Sequence, residues 1–262
     1  MSAIEVAGLG LASIMAYVFA LWLLSLVLRN ASIVDIFWGP GFILAAAVYF
    51  ALSEDGYDVR QSLVLALVTA WGLRLGIHIL TRSAGHGEDF RYKKWREQAP
   101  DTFWIRSLLQ VFVLQGVILW IVSAPLLAAL HNEEPDSLQV TDFLGLAVWC
   151  IGFFFEAVGD WQLARFKSDP ANAGKVMDRG LWRYTRHPNY FGDATLWWGF
   201  FIIAAGTTDG WLTVFGPLVM TFMLLRVSGV ALLERSIKKR RPDYEEYVRR
   251  TSPFIPLPPK KA

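Results

Sequence analysis

Hydrophobic positions in this chain do not alternate or line one helical face. They run almost continuously for roughly 20 residues at a time, the length a helix needs to cross a bilayer. Seven such runs are read, at 4–28, 32–52, 62–81, 105–130, 141–163, 189–205 and 211–233. The sixth is short, and the second and third carry polar residues. The segments between them differ in charge: 82–106, 164–188 and 234–262 are rich in Lys and Arg. The N-terminal tail, 131–141 and 206–210 hold neither, and 53–61 holds only Arg60. Basic loops stay in the cytoplasm, so seven spans alternate with the N-terminus outside and the C-terminus in the cytoplasm. The expected fold is an all-α, multi-pass integral membrane protein forming one seven-helix domain over 1–262.

Composition agrees with that pattern. Hydrophobic residues make up 54% of the 262, and charged residues only 18%, which excludes an ordinary soluble domain. A formal charge of +2 gives no footprint for nucleic acid. The single Cys150 rules out an intrachain disulfide and a thiolate metal site. His78, His86, His131 and His187 lack ligand spacing, so no metal is expected. Met1-Ser2-Ala3-Ile4-Glu5 has no basic stretch, which favours a retained first span over a cleaved signal. Gly8-Leu9-Gly10 lies inside a span, has no preceding strand and reads as helix packing.

The richest chemistry lies at Arg186-His187-Pro188-Asn189-Tyr190-Phe191-Gly192-Asp193, where a basic loop carrying Lys175, Arg179 and Arg183 meets an apolar run. Pro188 suits the first position of a helix. The amides and positive dipole end there, with the basic side chains, suit phosphate. A positive-inside anchor accounts for the cations alone, but not for Asn189, Tyr190 and Asp193. Glu156 and Asp160 lie four apart on one face of the fifth run, with Lys167 further along that side. Such a face serves either a ligand or an ion network with Arg183 and Arg186. Arg226, inside the seventh run, shares a face with Glu234, and a cation at that depth points to an anionic ligand. A second polar group comprises Asp35, Arg74 with His78, and Gly87-Glu88-Asp89-Phe90-Arg91-Tyr92. Asp35 and Arg74 either form a buried pair, or Asp35 or Tyr92 serves as an acid near a reacting carbon.

These motifs resemble the steroid 5α-reductase C-terminal-domain family, in its short bacterial-type, DUF1295-like branch. The resemblance rests on Glu156-x3-Asp160-x-Gln162 with Lys167, on Gly180-Leu181-Trp182-Arg183-Tyr184 running into 186–193, and on Tyr244-x2-Tyr247 with Pro253-x2-Pro256. Val34-Asp35-x2-Trp38-Gly39 and Trp71-Gly72-x-Arg74 match as well. It implies NADPH held at the cytoplasmic ends of the C-terminal helices (141–262), and an apolar pocket for a lipid or steroid-like substrate in 1–130. Asp160, Lys167, Arg186, Asn189, Asp193 and Arg226 match the family's cofactor motif, and Glu156, Lys175, Arg183, His187, Tyr190 and Glu234 complete the expected cofactor set. Hydride would pass to a carbon–carbon double bond, most simply an enone, with Asp35 as hydrogen-bond donor and Arg74 or Tyr92 as substitutes. This chain departs from the family where steroid reductases use a Gln-Glu pair and a Tyr: the counterparts are Val34-Asp35 and Trp71.

Arg186-His187-Pro188-x-Tyr190-x-Gly192 with Glu234 also resembles membrane methyltransferases of the isoprenylcysteine or phospholipid type, which use S-adenosylmethionine. The abundance of cations favours NADPH, because a methyl donor carries no phosphate. A non-catalytic lipid-binding membrane protein is the third class. For a bacterial chain, the inner or plasma membrane is the expected location.

Overall fold

In the computed structural model, residues 1–53, 56–227, 229–230, 234 and 244–260 are described. Regular structure among them is helical, with no strand; one isolated parallel bridge joins Thr185 to Ser252. Five helical stretches are long and apolar enough to cross a membrane: Ala3–Leu28 (α1), Asp58–Ser83, Phe103–Val122, Val140–Ser168 and Gly210–Val227. Large side chains such as Val27, Phe50, Ile77, Phe154 and Phe222 are exposed along these and neighbouring helices. So much outward apolar surface is unfavourable in water and favourable in lipid. This is a multi-pass membrane protein by helix length and composition.

The expected runs change in three places. The second splits into α2 (Ile33–Ile36) and α3 (Trp38–Ala51), leaving an apolar helix of only 14 residues. Pro40 has no N–H to offer the Ile36 carbonyl, and the carbonyl of Phe37, at the junction, accepts from Tyr17 Oη at 2.9 Å. The fourth run ends at Val122, and Ala124–His131 forms a separate helix after Ser123, with Pro125 in its first turn. A π-helical stretch, Leu108–Val113, also interrupts it. The sixth run is an α-helix, Pro188–Ala205, with Asn189 and Asp193 in its first turns. The end of the seventh, at 228 and 231–233, lies outside the described residues.

The chain forms two compact units: 1–140 with 204–215, and 141–203 with 216–262. In the first, α3 packs on α4 (Asp58–Ser83) with backbones almost touching. A Cβ on Gly39 would come within 2.4 Å of the Gly72 carbonyl oxygen. Phe42, Tyr49, Trp71, Phe112 and Leu119 fill its core. In the second unit, Val140–Ser168 crosses Pro188–Ala205 through glycines spaced seven apart, Gly145, Gly152 and Gly159 facing Gly199, Gly192 and the start of the partner helix. A Cβ on Gly152 would lie 2.6 Å from the Gly192 carbonyl. Only glycine permits this approach, which sets Glu156 and Asp160 beside the 188–193 turn.

Candidate functional site

The second unit builds its polar site from the loop 169–187, the first turn of Pro188–Ala205, Glu234 and the tail 244–260. Gly180 adopts φ +58°, a conformation other residues rarely hold, and starts a short 3-10 turn, Gly180–Arg183. The Leu181 amide donates to Gln162 Oε1 at 3.0 Å, and Trp182 Nε1 donates to the Gly159 carbonyl at 3.0 Å. These bonds fasten the loop to the preceding helix. The tail helix Tyr244–Arg250 adds a bond from the Tyr247 hydroxyl to the Trp182 carbonyl.

Arg186 lies at the centre, 7% exposed. Its Nε and Nη2 donate to Glu234 Oε1 at 2.8 and 2.7 Å, and Nη1 donates to the carbonyls of Val248 and Thr251 at 3.1 and 2.7 Å. Four of its five donors are thereby used inside the protein. His187 Nε2 approaches the same Glu234 oxygen at 3.3 Å, and its ring stacks on Tyr190 at 5.7 Å between centroids. Burial pushes Glu234 upward, but hydrogen bonds from His187 and Arg186 and their charge hold it below the usual glutamate range. Burial, with Glu234 close by, raises the Tyr244 phenol to about 12. Arg186 therefore joins loop, carboxylate and tail rather than presenting a free fork to solvent. A direct phosphate contact by Arg186 does not fit this geometry.

The rest of the expected cofactor set divides by exposure. Asp160 is buried and accepts from Asn189 Nδ2 at 2.9 Å, while Asn189 Oδ1 accepts the Tyr190 amide at 3.0 Å. Glu156 is buried one turn earlier, and Asp193 is half-buried on the helix that follows. Lys167, Lys175, Arg179 and Arg183 are exposed. An ion network of Glu156 and Asp160 with Arg183 and Arg186 was one of two alternatives; the carboxylate that Arg186 takes is Glu234. Arg226 is exposed on the π-helical stretch Met223–Val227 and stands outside the Arg186–Glu234 cluster.

The first unit holds the other polar group. Asp35 Oδ1 accepts from the Tyr92 hydroxyl at 2.9 Å, and Oδ2 accepts from Arg91 Nη2 at 3.0 Å. Arg91 also donates through Nε to Asp89 Oδ1 at 2.9 Å, and Gln115 Nε2 reaches the Tyr92 oxygen at 3.4 Å. The cation paired with Asp35 is thus Arg91, not Arg74, which was one of the two alternatives for this group. Arg74 and His78 are half-buried, one turn apart on α4. Tyr92 is buried on the helix Phe90–Gln98, and burial beside the Asp35 carboxylate raises its phenol well above the ordinary range. For Asp89, burial acts upward, yet the bonds and charge of Arg91 outweigh it and lower the carboxyl. Glu88 steadies the segment, accepting the Ala31 amide at 2.7 Å and Arg96 Nη2 at 2.8 Å.

Sequence reasoning assigned no role to Arg91, Gln115, Thr185 or Tyr247. Arg91 and Tyr247 stood inside motifs already singled out, and that was the available signal; Gln115 and Thr185 carried none. Among the described residues, no three His, Cys, Asp or Glu side chains are grouped to hold a metal.

An uncharacterized protein of the fission yeast Schizosaccharomyces pombe is similar to this chain, 26% identical over 280 positions that cover 96% of this chain and 79% of the relative. No solved structure matches it. A family model matches residues 21–251, spanning both polar groups, and the chain belongs to that family, described as protein of unknown function DUF1295.

Proposed function

We propose that this protein is a membrane-embedded reductase that uses NADPH to saturate a carbon–carbon double bond, conjugated to a carbonyl, in a lipid or steroid-like substrate. One observation carries the reading: a buried tyrosine, a carboxylate and a guanidinium joined in series, Tyr92–Asp35–Arg91. That chain is built to hold and pass a proton. In its acid form Asp35 donates to the Tyr92 oxygen, which turns the Tyr92 proton towards a substrate carbonyl. As negative charge grows on that oxygen the proton follows it, and the carboxylate left behind is paired with Arg91. Tautomerisation of the resulting enol then adds one proton from solvent at the carbon next to the carbonyl and returns the oxygen's proton through Tyr92 to Asp35, so the product gains one hydride and one proton in total. NADPH, when bound, supplies the hydride.

The second unit fits a polyanionic nucleotide by its donor set. Exposed Lys167, Lys175, Arg179 and Arg183 suit the pyrophosphate and 2′-phosphate. Asn189, fixed by Asp160, suits a ribose or amide contact. Arg186, His187 and Glu234 hold the turn in place. One observation favours a second reading, an S-adenosylmethionine-dependent methyltransferase: Glu234 bonds both members of the Arg186-His187 pair on which that resemblance rests. We also propose seven crossings, with the N-terminus outside and the C-terminus in the cytoplasm. A C-terminal reporter should then read as cytoplasmic and one in 131–141 as external; the opposite pair contradicts the orientation.

The reading is tested by incubating purified protein with NADPH and a panel of 4-ene-3-oxo steroids and unsaturated isoprenoid ketones. NADPH consumption matched by a product two hydrogens heavier supports it. Methyl transfer from S-adenosylmethionine to a lipid acceptor, without NADPH consumption, replaces it with the second reading.

A further inference from the structure

The tail does more than end the chain. Thr185, fully buried, sits where it meets the loop, and its Oγ1 makes two bonds in opposite directions. It donates to the Phe254 carbonyl at 2.7 Å and accepts the His187 amide at 3.3 Å. Around it the tail repeats the attachment: the Arg186 amide donates to the Ser252 carbonyl at 2.9 Å, and the Leu257 amide to the Tyr184 carbonyl at 3.0 Å. The Tyr247 hydroxyl holds the Trp182 carbonyl, and Arg250 pairs with Asp178. Residues 178–187 are thus hydrogen-bonded to the tail at both ends and in the middle, all within one compact unit.

We infer that Thr185 and Tyr247 are positioning residues: through them the tail 244–257 sets the backbone of the Arg186-His187 turn, and with it the ligand-competent shape of the loop that carries Arg179 and Arg183. The physical reason lies in what else is available to hold this turn. A loop rich in like charges repels itself, and Gly180 and Gly174, both at positive φ, permit alternative conformations. The bonds to Gln162 and Gly159 tie down 181 and 182 only. From Thr185 to His187 the local restraints are the Thr185 amide's bond to the Leu181 carbonyl at 3.3 Å, the Phe191 amide's bond to the His187 carbonyl at 3.0 Å and the His187–Tyr190 stack; the remaining bonds come from the tail and from Glu234. Without the tail's bonds, the Arg186 amide and the Thr185 hydroxyl lose their partners and the turn is less tightly fixed.

The consequence for ligand binding rests on the NADPH reading; the attachment itself does not. Thr185→Val keeps the size and branching of the side chain and removes both bonds, whereas Thr185→Ser keeps the hydroxyl. In ligand-free full-length protein, hydrogen exchange at the Arg186, His187 and Leu257 amides should quicken about five- to tenfold in Thr185→Val, as for loss of one or two neutral hydrogen bonds. Exchange within 145–156 should stay unchanged, and Thr185→Ser should restore wild-type rates. NADPH affinity should fall by a similar factor in Thr185→Val and recover in Thr185→Ser. Unchanged exchange at the three amides overturns the attachment. Faster exchange with unaltered NADPH affinity overturns the positioning role. If wild-type protein binds no NADPH, the functional reading fails and the exchange data alone decide the attachment. Should Thr185→Val not fold, Tyr247→Phe, which removes the hydroxyl's bonds to the Trp182 and Thr185 carbonyls, is judged by the same two readouts.

Discussion

The two units treat charge in opposite ways. In the second, Arg186 is 7% exposed, and its donors end on one carboxylate and two backbone carbonyls. In the first, Arg91 and Asp35 keep side-chain exposures of 31% and 25%, and a tyrosine hydroxyl continues the series. A buried guanidinium with its donors used is a fastener, because moving it would strand partners away from water. A partly hydrated ion pair joined to a hydroxyl can change protonation at modest cost, which chemistry requires. Similar residue types thus give architecture in one unit and candidate reactivity in the other.

The contrast predicts unequal responses to removing each arginine. Arg186→Ala strands Glu234 and two tail carbonyls, so it should cost about 3–5 kcal/mol of stability and abolish NADPH binding with the fold. Arg91→Ala, at a pair whose side chains keep about a quarter to a third of their exposure, should cost less, about 1 kcal/mol, and act on turnover instead. Thermal melting in detergent separates the two; equal losses would erase the distinction between fastener and relay.

Next in size is Tyr92→Phe. It removes the hydroxyl and leaves the ring that packs edge-on against Trp95. Single-turnover oxidation of bound NADPH should slow by about 100-fold, as for loss of one oxyanion donor, with NADPH affinity held within twofold. Asp35→Asn should slow the same step and keep the fold, since Asn still accepts from Arg91. A Tyr92→Phe protein with normal turnover would remove Tyr92 from the chemistry.

A smaller effect is expected at the exposed cations. Arg179→Ala with Arg183→Ala should weaken NADPH more than NADH, by about tenfold for one lost charged contact, and the gap should close at high salt. Equal weakening of both nucleotides would place the 2′-phosphate elsewhere.

The smallest is a pH effect. The Glu234 carboxyl lies below its unfolded value, so its stabilisation is present above about pH 4.3 and is lost as pH falls through the folded pKa. Melting temperature should therefore drop on acidification below that point, and Glu234→Gln should flatten the drop. Asp89 is lowered in the same direction, but with 34% of its side chain exposed it is screened and should contribute less.

How much of this was legible depends on the distance over which each feature is specified. Helical runs are set by local hydrophobicity, and five stretches emerge where continuous apolar runs were read. Both broken runs had a local signal: Pro40 and Pro125 remove the N–H that the helix needs four residues back. The glycines at 145, 152 and 159, matched at 192 and 199, were an equally readable sign of close helix packing. The partners of charges were harder, because they depend on tertiary approach. Arg186 reaches Glu234 across 48 positions and Asp35 reaches Arg91 across 56, so chain spacing could not identify either pair. The tail attachment runs largely through backbone carbonyls, which every residue possesses and no motif marks.

The central claim is that the second unit holds NADPH. Full-length protein should be purified in mild detergent without added nucleotide, denatured, and its released small molecules identified by mass spectrometry, followed by titration of the stripped protein with NADPH, NADH and S-adenosylmethionine. A nucleotide site in the second unit predicts NADP(H) among the released molecules and saturable binding of NADPH in preference to NADH. Release or saturable binding of S-adenosylmethionine, with no response to NADPH, would contradict it.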